Sequence, residues 1–364
     1  MREGRGLSRS LLSVVVVLCA AAAPVWADAF ADYTLSGSFV LPTPTTGGEF
    51  DVLGDGRLIT VSGAEVLVET APLSRSFNSV GVLPDADMPD PVYAGPAFVR
   101  VSPDGMKVAV GNNGGSSWSN YEVGVFDLTG LTGDWFSARH YDAAWIDGTH
   151  LVMSAGGVTG PPSVVTALDT TSDPGSPLNP MLIDNIGGYS GGIAFDAAGN
   201  LYTGNGFAAA GPSGTGWIKA FATADWLPAF EGTGPAVDFE VGGTLVADVL
   251  SASSLGFDAE GNLHVGGADS TGGDFEYAAL IRQVALADAL GGGGPVDPLD
   301  PQQVCRLDPD PTAGSLYDVV ANHVTGELYV RQGNVVYTYV VPEPASAALL
   351  ALAAALALGR GARR

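Results

Sequence analysis

Cysteine is scarce in this chain, which has 2 cysteines, Cys19 and Cys305, in 364 residues. Cys19 lies in an apolar N-terminal stretch that we interpret below as a removable export signal, so Cys305 would remain alone in the mature protein. A single cysteine excludes an intramolecular disulfide and a cysteine-based metal site. Stability must therefore come from buried apolar side chains and paired backbone groups, and a chain of this length can supply both.

Basic residues are also few, because 15 Lys and Arg stand against 39 Asp and Glu. Six of the basic residues and one acidic residue lie in the two terminal signals described below, so residues 28–344 carry 9 basic and 38 acidic residues, a net charge near −29. A surface this acidic repels phosphate backbones and anionic lipids, so we expect no nucleic-acid partner. It attracts divalent cations, and it equally suits solubility in a salty or calcium-containing exterior.

The first 27 residues have the three parts of a secretory signal peptide. A basic start precedes a mostly apolar stretch of 13 residues, 11–23, which ends at Pro24. The basic residues are Arg2, Arg5 and Arg9. Val25 and Ala27 then occupy the −3 and −1 positions of a cleavage site. We predict cleavage after Ala27 by signal peptidase, and hence export.

The last 23 residues combine a short motif, an apolar stretch and a basic end. The motif is Pro342, Glu343 and Pro344, and the Ala/Leu-rich stretch of 14 residues is 345–358. The basic end holds Arg360, Arg363 and Arg364. At ~1.5 Å per residue the stretch covers about 21 Å, which is less than the roughly 30 Å hydrocarbon core and suits a transient anchor. The arginines should stay cytoplasmic, which places the preceding chain outside.

This order of motif, apolar stretch and arginine cluster resembles the PEP-CTERM sorting signal that exosortases recognise. The resemblance implies a short transmembrane helix, cleavage near Pro342-Glu343-Pro344 at the inner membrane, and transfer to the cell surface or the exterior. It also implies a Gram-negative bacterium that makes extracellular polysaccharide. Proteins of many folds carry this signal, so it indicates location and no activity.

We therefore divide the chain into a signal peptide (1–27), a folded domain (28–341) and a sorting tail (342–364). The domain consists of short Val, Leu, Tyr and Phe segments separated by Gly, Asn and Asp turns, and long helical periods are nearly absent. This pattern predicts an all-β domain, flanked by the signal helix and the short transmembrane helix.

A hairpin pattern recurs through the domain: an apolar strand end, an Asp- or Asn-containing turn with Gly, and a second alternating strand. Two copies match closely, residues 195–202 and 257–264. Looser copies are residues 50–58, 101–108, 145–152 and 322–329. The turn glycines, to which we assign a positive φ, are Gly56, Gly105, Gly148, Gly199, Gly261 and Gly326, spaced by 49, 43, 51, 62 and 65 residues.

Such a period is too long for one hairpin and fits four strands. The third strands are predicted at residues 65–70, 123–128, 164–169, 218–222, 279–285 and 335–341. About six four-stranded repeats predict a β-propeller, in which residues 33–41 would close the ring by joining the last blade. The hairpins resemble those of NHL-type and TolB-like propellers. A pair of β-sandwiches or a β-helix remains the alternative.

The sequence offers no catalytic motif. No Gly-x-Ser-x-Gly elbow stands at a strand-to-helix turn. The acidic surroundings of Cys305 would raise its pKa and blunt it as a nucleophile. No two histidines have the i, i+4 spacing of a helical zinc motif, and we interpret the four of them as surface or hairpin residues.

Acidic loops are the one hint of a cofactor. Asp85, Asp87 and Asp90 lie in a Pro-rich segment, and hard oxygen ligands on a loop suit Ca²⁺. A further acidic segment holds Asp297, Asp300, Asp308 and Asp310. Neither has the spacing of an EF-hand, and solvated acidic loops are the alternative.

The loops after the second strands are candidate ligand sites, because in a propeller they lie on one face around the channel. Their candidate ligand-binding residues are Asn112, Asn113, Trp118, Tyr121, Asn205, Phe207, Asp269 and Asp274. Aromatic faces beside Asn and Asp suit a sugar, although such loops are also permissive turns. The favoured function is an exported, non-catalytic binding or scaffold propeller with extracellular polysaccharide as its candidate partner. The alternative is a secreted propeller hydrolase or lyase, lactonase-like or glycan-cleaving, with a metal or acid pair at the channel mouth.

Overall fold

Short alternating apolar runs form strands in the computed structural model, and these strands pair into six separate sheets. The structure describes residues 33–43, 49–84, 98–112, 122–155, 163–187, 189–207, 216–249, 252–267, 278–307 and 317–340. One compact unit spans Leu35–Val340. The predicted signal peptide and sorting tail lie outside the described residues. The all-β propeller of six four-stranded blades predicted from the repeats is confirmed.

Each blade begins with its innermost strand and continues outward along the chain. Blade 1 contains β2 (Phe50–Val52), β3 (Leu58–Ser62), β4 (Glu65–Glu69) and β5 (Phe77–Val82). Blade 2 contains β6 (Val99–Val101), β7 (Lys107–Asn112), β8 (Glu122–Asp127) and β9 (Gly133–Ser137). Blade 3 contains β10 (Ala143–Trp145), β11 (His150–Ala155), β12 (Ser163–Asp169) and β13 (Met181–Ile186).

The second half of the chain repeats this plan. Blade 4 contains β14 (Tyr189–Phe195), β15 (Leu201–Phe207), β16 (Gly216–Phe221) and β18 (Thr244–Val249). Blade 5 contains β19 (Ser254–Phe257), β20 (Leu263–Gly266), β21 (Ala278–Ile281) and β22 (Val304–Leu307). Blade 6 contains β23 (Tyr317–Asn322), β24 (Glu327–Gln332) and β25 (Val335–Val340), and β1 (Thr34–Val40) completes it as the outermost strand. The predicted closure of the ring by the early strand is therefore confirmed.

Blades 4 and 5 each carry a short helix after their third strand. These are α1 (Thr223–Phe230) and α2 (Gln283–Leu290), and the two-residue strand β17 (Val237–Asp238) pairs with β13. The strand predicted at residues 279–285 was too long, because β21 ends at Ile281 and Gln283 begins α2. The Ala- and Leu-rich sequence of α2 favours helix, and the side chain of Asn262 accepts a hydrogen bond from the Gln283 N–H at 2.9 Å. No helix in the described residues is long and apolar enough to cross a membrane.

The hairpin turns between the first and second strands owe their shape to acidic side chains. Asp196 Oδ1 accepts hydrogen bonds from the backbone N–H groups of Ala198 and Asn200, both at 2.9 Å. Asp258 makes the equivalent bonds in blade 5. Five of the six turn glycines have the predicted positive φ, for example 80° at Gly199. The prediction was wrong for Gly148, and in this turn Asp147 Oδ1 accepts hydrogen bonds from the Thr149 and His150 N–H groups.

Apolar side chains between adjacent blades form the core. Leu201 and Leu263, which are equivalent in blades 4 and 5, are fully buried. Phe195 and Phe257 occupy equivalent positions but are half-buried at the edges of their clusters. Burying a side chain of this size contributes about 1.5–3 kcal/mol. Blade-to-blade packing therefore supplies most of the apolar stabilisation.

All blades run in the same direction. Five of the six innermost strands begin beside one group of charged residues, described below, and end at an Asp- or Asn-containing turn. We call the face where these strands begin the axial face, and the face that holds the turns the turn face. The second strand of each blade runs back, so β7, β15 and β20 end at the axial face.

Gly192 is required where blades 4 and 5 approach each other. Its N–H donates to Ala252 O at 2.7 Å, and an added Cβ would collide with the backbone N of Leu255 and lie 2.6 Å from the carbonyl carbon of Ser254. We expect Gly192→Ala to lower the free energy of unfolding by about 1–3 kcal/mol, because backbone atoms cannot yield as a flexible side chain would. Urea unfolding of the variant and the wild type measures this change in the free energy of unfolding. Gly130→Ala is the control, since a Cβ there meets nothing within 4 Å. Equal stability of the two variants would contradict this packing.

Candidate functional site

Charged side chains near the propeller axis join neighbouring blades. Asp51 Oδ2 accepts a hydrogen bond from the Val101 N–H at 2.6 Å, which links blades 1 and 2. Arg100 Nε donates to Ala143 O at 3.0 Å, and its Nη2 lies 2.6 Å from Asp142 Oδ1, which links blades 2 and 3. Side chains from the start of each innermost strand thus bind the next strand around the ring.

The remaining junctions follow the same rule. Asp142 Oδ2 accepts from the Ile193 N–H at 3.2 Å, linking blades 3 and 4. The Gly192 bond described above links blades 4 and 5. Ser254 Oγ donates to Asp318 Oδ1 at 2.5 Å, linking blades 5 and 6.

Blade 6 meets blade 1 through a contact between the Arg331 guanidinium and the Glu49 carboxyl. Arg331 lies opposite Asp318 in the β23–β24 register, so the same strand pair supplies a guanidinium and a carboxylate to the axis. We call the six ionisable side chains together the axial cluster: Glu49, Asp51, Arg100, Asp142, Asp318 and Arg331.

The pKa values of the neighbouring carboxyls of Glu49 and Asp318 are shifted in opposite directions. Burial raises the pKa of Glu49 well above its usual range, Arg331 opposes this rise, and the neighbouring charge of Asp318 reinforces it. Burial would also raise the pKa of Asp318, but the charges of Arg100 and Arg331 and a hydrogen bond from Glu49 lower it. Two adjacent carboxyls with opposite shifts behave as an acid and its carboxylate. Glu49 is therefore the carboxyl of the pair that favours its protonated form, and Asp318 is the one that favours its carboxylate.

Asp142 is another carboxyl of the axial cluster with a raised pKa. Burial raises its pKa from 3.8 to about 6, in spite of the ion pair with Arg100. Burial likewise raises the pKa of the Asp51 carboxyl and of the neighbouring Tyr141 hydroxyl. Perturbed carboxyls gathered in one place are typical of catalytic sites, although structural ion-pair networks also produce them.

The cluster can perform acid–base chemistry. The side chain of Glu49 retains 13% exposure. Asp142, with a pKa of about 6, can accept a proton near neutral pH. Arg100 holds Asp142 at 2.6 Å and lies 3.9 Å from Asp318, which fixes both carboxylates.

The candidate ligand residues predicted from the sequence lie mostly outside the described residues. Asn113, Trp118, Tyr121, Asp269 and Asp274 lie there, while Asn112 and Phe207 end β7 and β15 at the axial face. Asn205 is buried, and its amide bonds Gly187 O and the Trp217 N–H. The structure thus brings Asn112, Asn205 and Phe207 to the face where the axial cluster lies, and it uses the Asn205 amide within blade 4.

The calcium prediction for Asp85, Asp87 and Asp90 also falls outside the described residues, as do Asp308 and Asp310. Asp297 and Asp300 are described, and each accepts a backbone N–H bond two residues later in its own turn. No group of three metal-ligating side chains occurs in the part of the chain that the structure describes. Of the histidines, His323 is exposed and His150 half-exposed as expected, but His140 and His264 are buried.

Sequence reasoning missed the axial cluster. Its members are single charged residues at the starts of different repeats, and no spacing relates them. The available signal was a charge inside a short apolar strand, as in Val99-Arg100-Val101. Such a charge needs an oppositely charged or hydrogen-bonding partner when it is buried. That partner can be identified only in the closed ring.

Comparisons with known proteins support the fold and leave the activity open. No family model and no curated protein matches this chain. The PQQ domain of pyranose dehydrogenase from Coprinopsis cinerea is similar with a TM-score of 0.51 and 12% identity, over 84% of this chain and 97% of that one. A gluconolactonase from Xanthomonas campestris has a TM-score of 0.51 and 11% identity, over 86% of this chain and 96% of that one. A chain of the mitotic checkpoint complex has a TM-score of 0.50 and 12% identity, over 87% of this chain and 94% of that one.

These identities show a shared fold alone. Two of the three structures are named for enzymes and the third for a checkpoint assembly, so the propeller by itself does not decide between catalysis and binding. The resemblance of the hairpins to those of known propellers is confirmed at the level of the fold. The function must be argued from the axial cluster.

The raised pKa of Asp142 predicts a pH-dependent stability. Because its folded-state pKa of about 6 exceeds the ordinary value of 3.8, its contribution is complete below about pH 4 and is lost as the pH rises through 6. The shift corresponds to on the order of 3 kcal/mol. We therefore expect the free energy of unfolding of the wild type, relative to Asp142→Asn, to fall between about pH 4 and 7 in urea titrations.

Asp104→Asn is the control for this measurement. Hydrogen bonds from the Ser102 hydroxyl and the Met106 N–H lower the pKa of Asp104, so its contribution is lost only as the pH falls below the ordinary range. The difference in the free energy of unfolding between Asp104→Asn and the wild type should stay constant between about pH 4 and 7. A flat difference for Asp142→Asn as well would contradict the raised pKa.

Proposed function

We propose that this chain is an exported propeller hydrolase or lyase whose catalytic site is the axial cluster. The observation that carries the proposal is that burial raises the pKa of Glu49 well above its usual range, while the charges of Arg100 and Arg331 lower the pKa of the neighbouring Asp318 in spite of its burial. A carboxyl that remains protonated at neutral pH, next to one that does not, is the arrangement that general acid catalysis needs.

The residues have separate roles in this proposal. Glu49 delivers its proton to the leaving oxygen as the bond to it breaks. Asp142 takes a proton from the attacking water in a hydrolysis, or from a carbon of the substrate in an elimination. Asp318 keeps Glu49 protonated and oriented, and Arg100 holds the two aspartates in place. Afterwards Glu49 takes up a proton from solvent and Asp142 releases one to solvent, which restores both residues.

Uncharged sugar derivatives are the first substrates to test. The axial cluster has four carboxyls and two guanidiniums, so an anionic substrate would meet net negative charge. Two structures with the same fold are named for enzymes of sugars or sugar lactones. Neutral lactones, neutral glycosides and oligosaccharides of the host's own polysaccharide therefore form the panel.

Export, exosortase processing and calcium binding by the loop at Asp85, Asp87 and Asp90 remain part of the proposal. Their support is the sequence of both ends and the acidic composition. The location would be the inner membrane during processing and then the cell surface or exterior of a Gram-negative bacterium.

The second candidate is the non-catalytic binding or scaffold propeller. One observation favours it: the charged side chains of the axial cluster already form bonds that join blades, so the cluster has a structural use without any substrate. In that case the candidate ligand loops around Trp118 would hold extracellular polysaccharide.

Glu49→Gln tests the catalytic proposal, since Gln keeps the size of the side chain and removes the acid. With the substrate panel above, we expect kcat to fall by about 10²–10⁴ while KM changes little. Dinitrophenyl glycosides or esters, whose leaving groups need no proton, should retain most of the wild-type rate. Glu260→Gln, an exposed carboxylate on the turn face, is the matched control and should be fully active.

Two results would contradict this assignment. Equal loss on substrates with good and poor leaving groups would mean that Glu49 acts on structure and not as an acid. Absence of turnover across the whole panel, with polysaccharide binding that Trp118→Ala abolishes and Glu49→Gln preserves, would establish the binding propeller instead.

Processing at both ends is tested by intact mass of the protein from its native host. We expect a chain that begins near Asp28 and ends close to Pro342-Glu343-Pro344. In a host whose exosortase is deleted, the chain should keep its C-terminal arginines and stay in the membrane fraction. Mature surface protein that still carries Arg360–Arg364 would refute the sorting signal.

A further inference from the structure

Two charged side chains of the axial cluster face each other across the two inner strands of blade 6. Asp318 in β23 lies directly opposite Arg331 in β24. In an antiparallel pair, opposite residues project to the same face of the sheet, with Cβ atoms about 4.5–5.5 Å apart. Asp318 is 3% exposed and Arg331 is 7% exposed. Both charged groups must therefore find their partners inside the protein.

Most polar atoms of these two side chains do have partners. Asp318 Oδ1 accepts a hydrogen bond from Ser254 Oγ at 2.5 Å. Arg331 Nη1 donates to Gly333 O at 3.0 Å, and Arg331 Nη2 contacts the Glu49 carboxyl. These contacts fix the position of the guanidinium and of the carboxylate, so neither group is free to turn toward a new neighbour.

Two buried atoms remain, one on each side chain. Within the residues that the structure describes, neither Asp318 Oδ2 nor Arg331 Nε has a hydrogen-bond partner. In the same described residues the two side chains form no direct ion pair with each other, although the charge of Arg331 acts on Asp318. A buried polar atom without a partner is rare and costly in a folded protein. Each of these atoms therefore points to a bonding group that does not belong to the chain.

The chemistry of the two atoms defines which group can lie between them. A guanidinium Nε–H only donates, and a carboxylate oxygen only accepts. A hydroxyl group accepts from the first and donates its proton to the second, in two bonds of about 2.7–3.0 Å each. An ammonium group offers no acceptor to the arginine, and an ionised carboxylate or phosphate offers no donor to the aspartate. A metal cation would be repelled by the guanidinium.

We propose that the axial cluster contains a binding site for one hydroxyl group, held between Arg331 Nε and Asp318 Oδ2. An internal water molecule and a hydroxyl of a neutral sugar supply the same chemistry. Glu49 contacts Arg331 and hydrogen-bonds Asp318, so the bound hydroxyl lies beside the proposed acid. The site does not depend on catalysis, because it follows from two buried atoms that are equally present in a non-catalytic propeller.

Nuclear Overhauser effects between the protein and the bound hydroxyl test this site. In the full chain with ¹⁵N-labelled arginine, the Arg331 Nε–H should give a cross-peak to a long-lived water molecule or to a sugar. Arg100 Nε is the matched control, because it belongs to the same cluster but donates directly to Ala143 O at 3.0 Å. The Arg100 Nε–H should give no such cross-peak. Arg331→Lys removes the Nε–H and identifies its signal, and through-bond spectra assign it if that variant does not fold.

Glucose, added as the sugar probe, distinguishes the two sources of the hydroxyl. If water occupies the site, the water cross-peak of the Arg331 Nε–H persists in the presence of glucose. If a sugar hydroxyl binds, this cross-peak is lost and cross-peaks to the C–H protons of glucose replace it. Either result supports the site. A high-resolution crystal structure should likewise show one oxygen atom within about 3.2 Å of both Arg331 Nε and Asp318 Oδ2.

Two results would overturn the site. One is an Arg331 Nε–H that is observed but gives neither cross-peak. The other is a crystal structure in which Arg331 Nε bonds directly to Asp318 or to another protein atom. Turnover of the substrate panel is measured separately, and its absence would refute the catalytic proposal while the hydroxyl site stands. The two proposals therefore fail independently.

Discussion

Six blades must be joined at an axis where there is room for few side chains and where backbone groups are hidden from water. At five of the six junctions a charged side chain carries out that joining by bonding a group of the neighbouring blade. At the junction of blades 4 and 5 the Gly192 N–H bonds Ala252 O instead. A buried charge is costly unless it is paired and hydrogen-bonded. Here each carboxylate accepts from a neighbouring blade, so satisfying the charges and closing the ring are the same requirement. The apolar clusters between blades then stabilise a ring whose register the axis has set.

The same burial makes the axis suited to acid–base chemistry. Burial disfavours ionised carboxyls, so the pKa of Glu49 lies well above its usual range and the pKa of Asp142 rises to about 6. Asp318 stays ionised because two arginines face it. Structural ring closure and a catalytic acid therefore do not exclude each other in this molecule. The catalytic and the binding proposals differ in whether a substrate reaches Glu49, not in what holds the blades together.

Local chemistry explains why so much of the architecture could be predicted from the sequence. The Asp-x-x-Gly-Asn turns at Asp196 and Asp258 are built from residues within four positions of each other, so their sequence is visible in any single repeat. The closing strand was predictable because residues 33–41 had no other partner in the period. The length of β21 was not predictable, because the helix-forming sequence of α2 begins two residues after the strand ends.

The candidate site could not be predicted, because it depends on contacts between distant residues. Glu49 and Arg331 are 282 positions apart, and their pairing exists only once the ring is closed. The loops that did carry a recognisable pattern, such as the one with Trp118, suggested a sugar site by composition alone. Only Asn205 among those candidates has a described side chain, and its amide serves blade 4. Composition indicated loops at the axial face and missed the charges at its centre.

The proton on Glu49 is the central claim, and infrared spectroscopy detects it directly. In protein with isotope-labelled glutamate carboxyls, the account predicts a C=O stretching band of a protonated, buried glutamic acid at neutral pH. This band should be absent from Glu49→Gln and should persist in Glu260→Gln. A wild-type spectrum with every glutamate ionised at neutral pH would contradict the raised pKa of Glu49, and with it the acid on which the proposed catalysis depends.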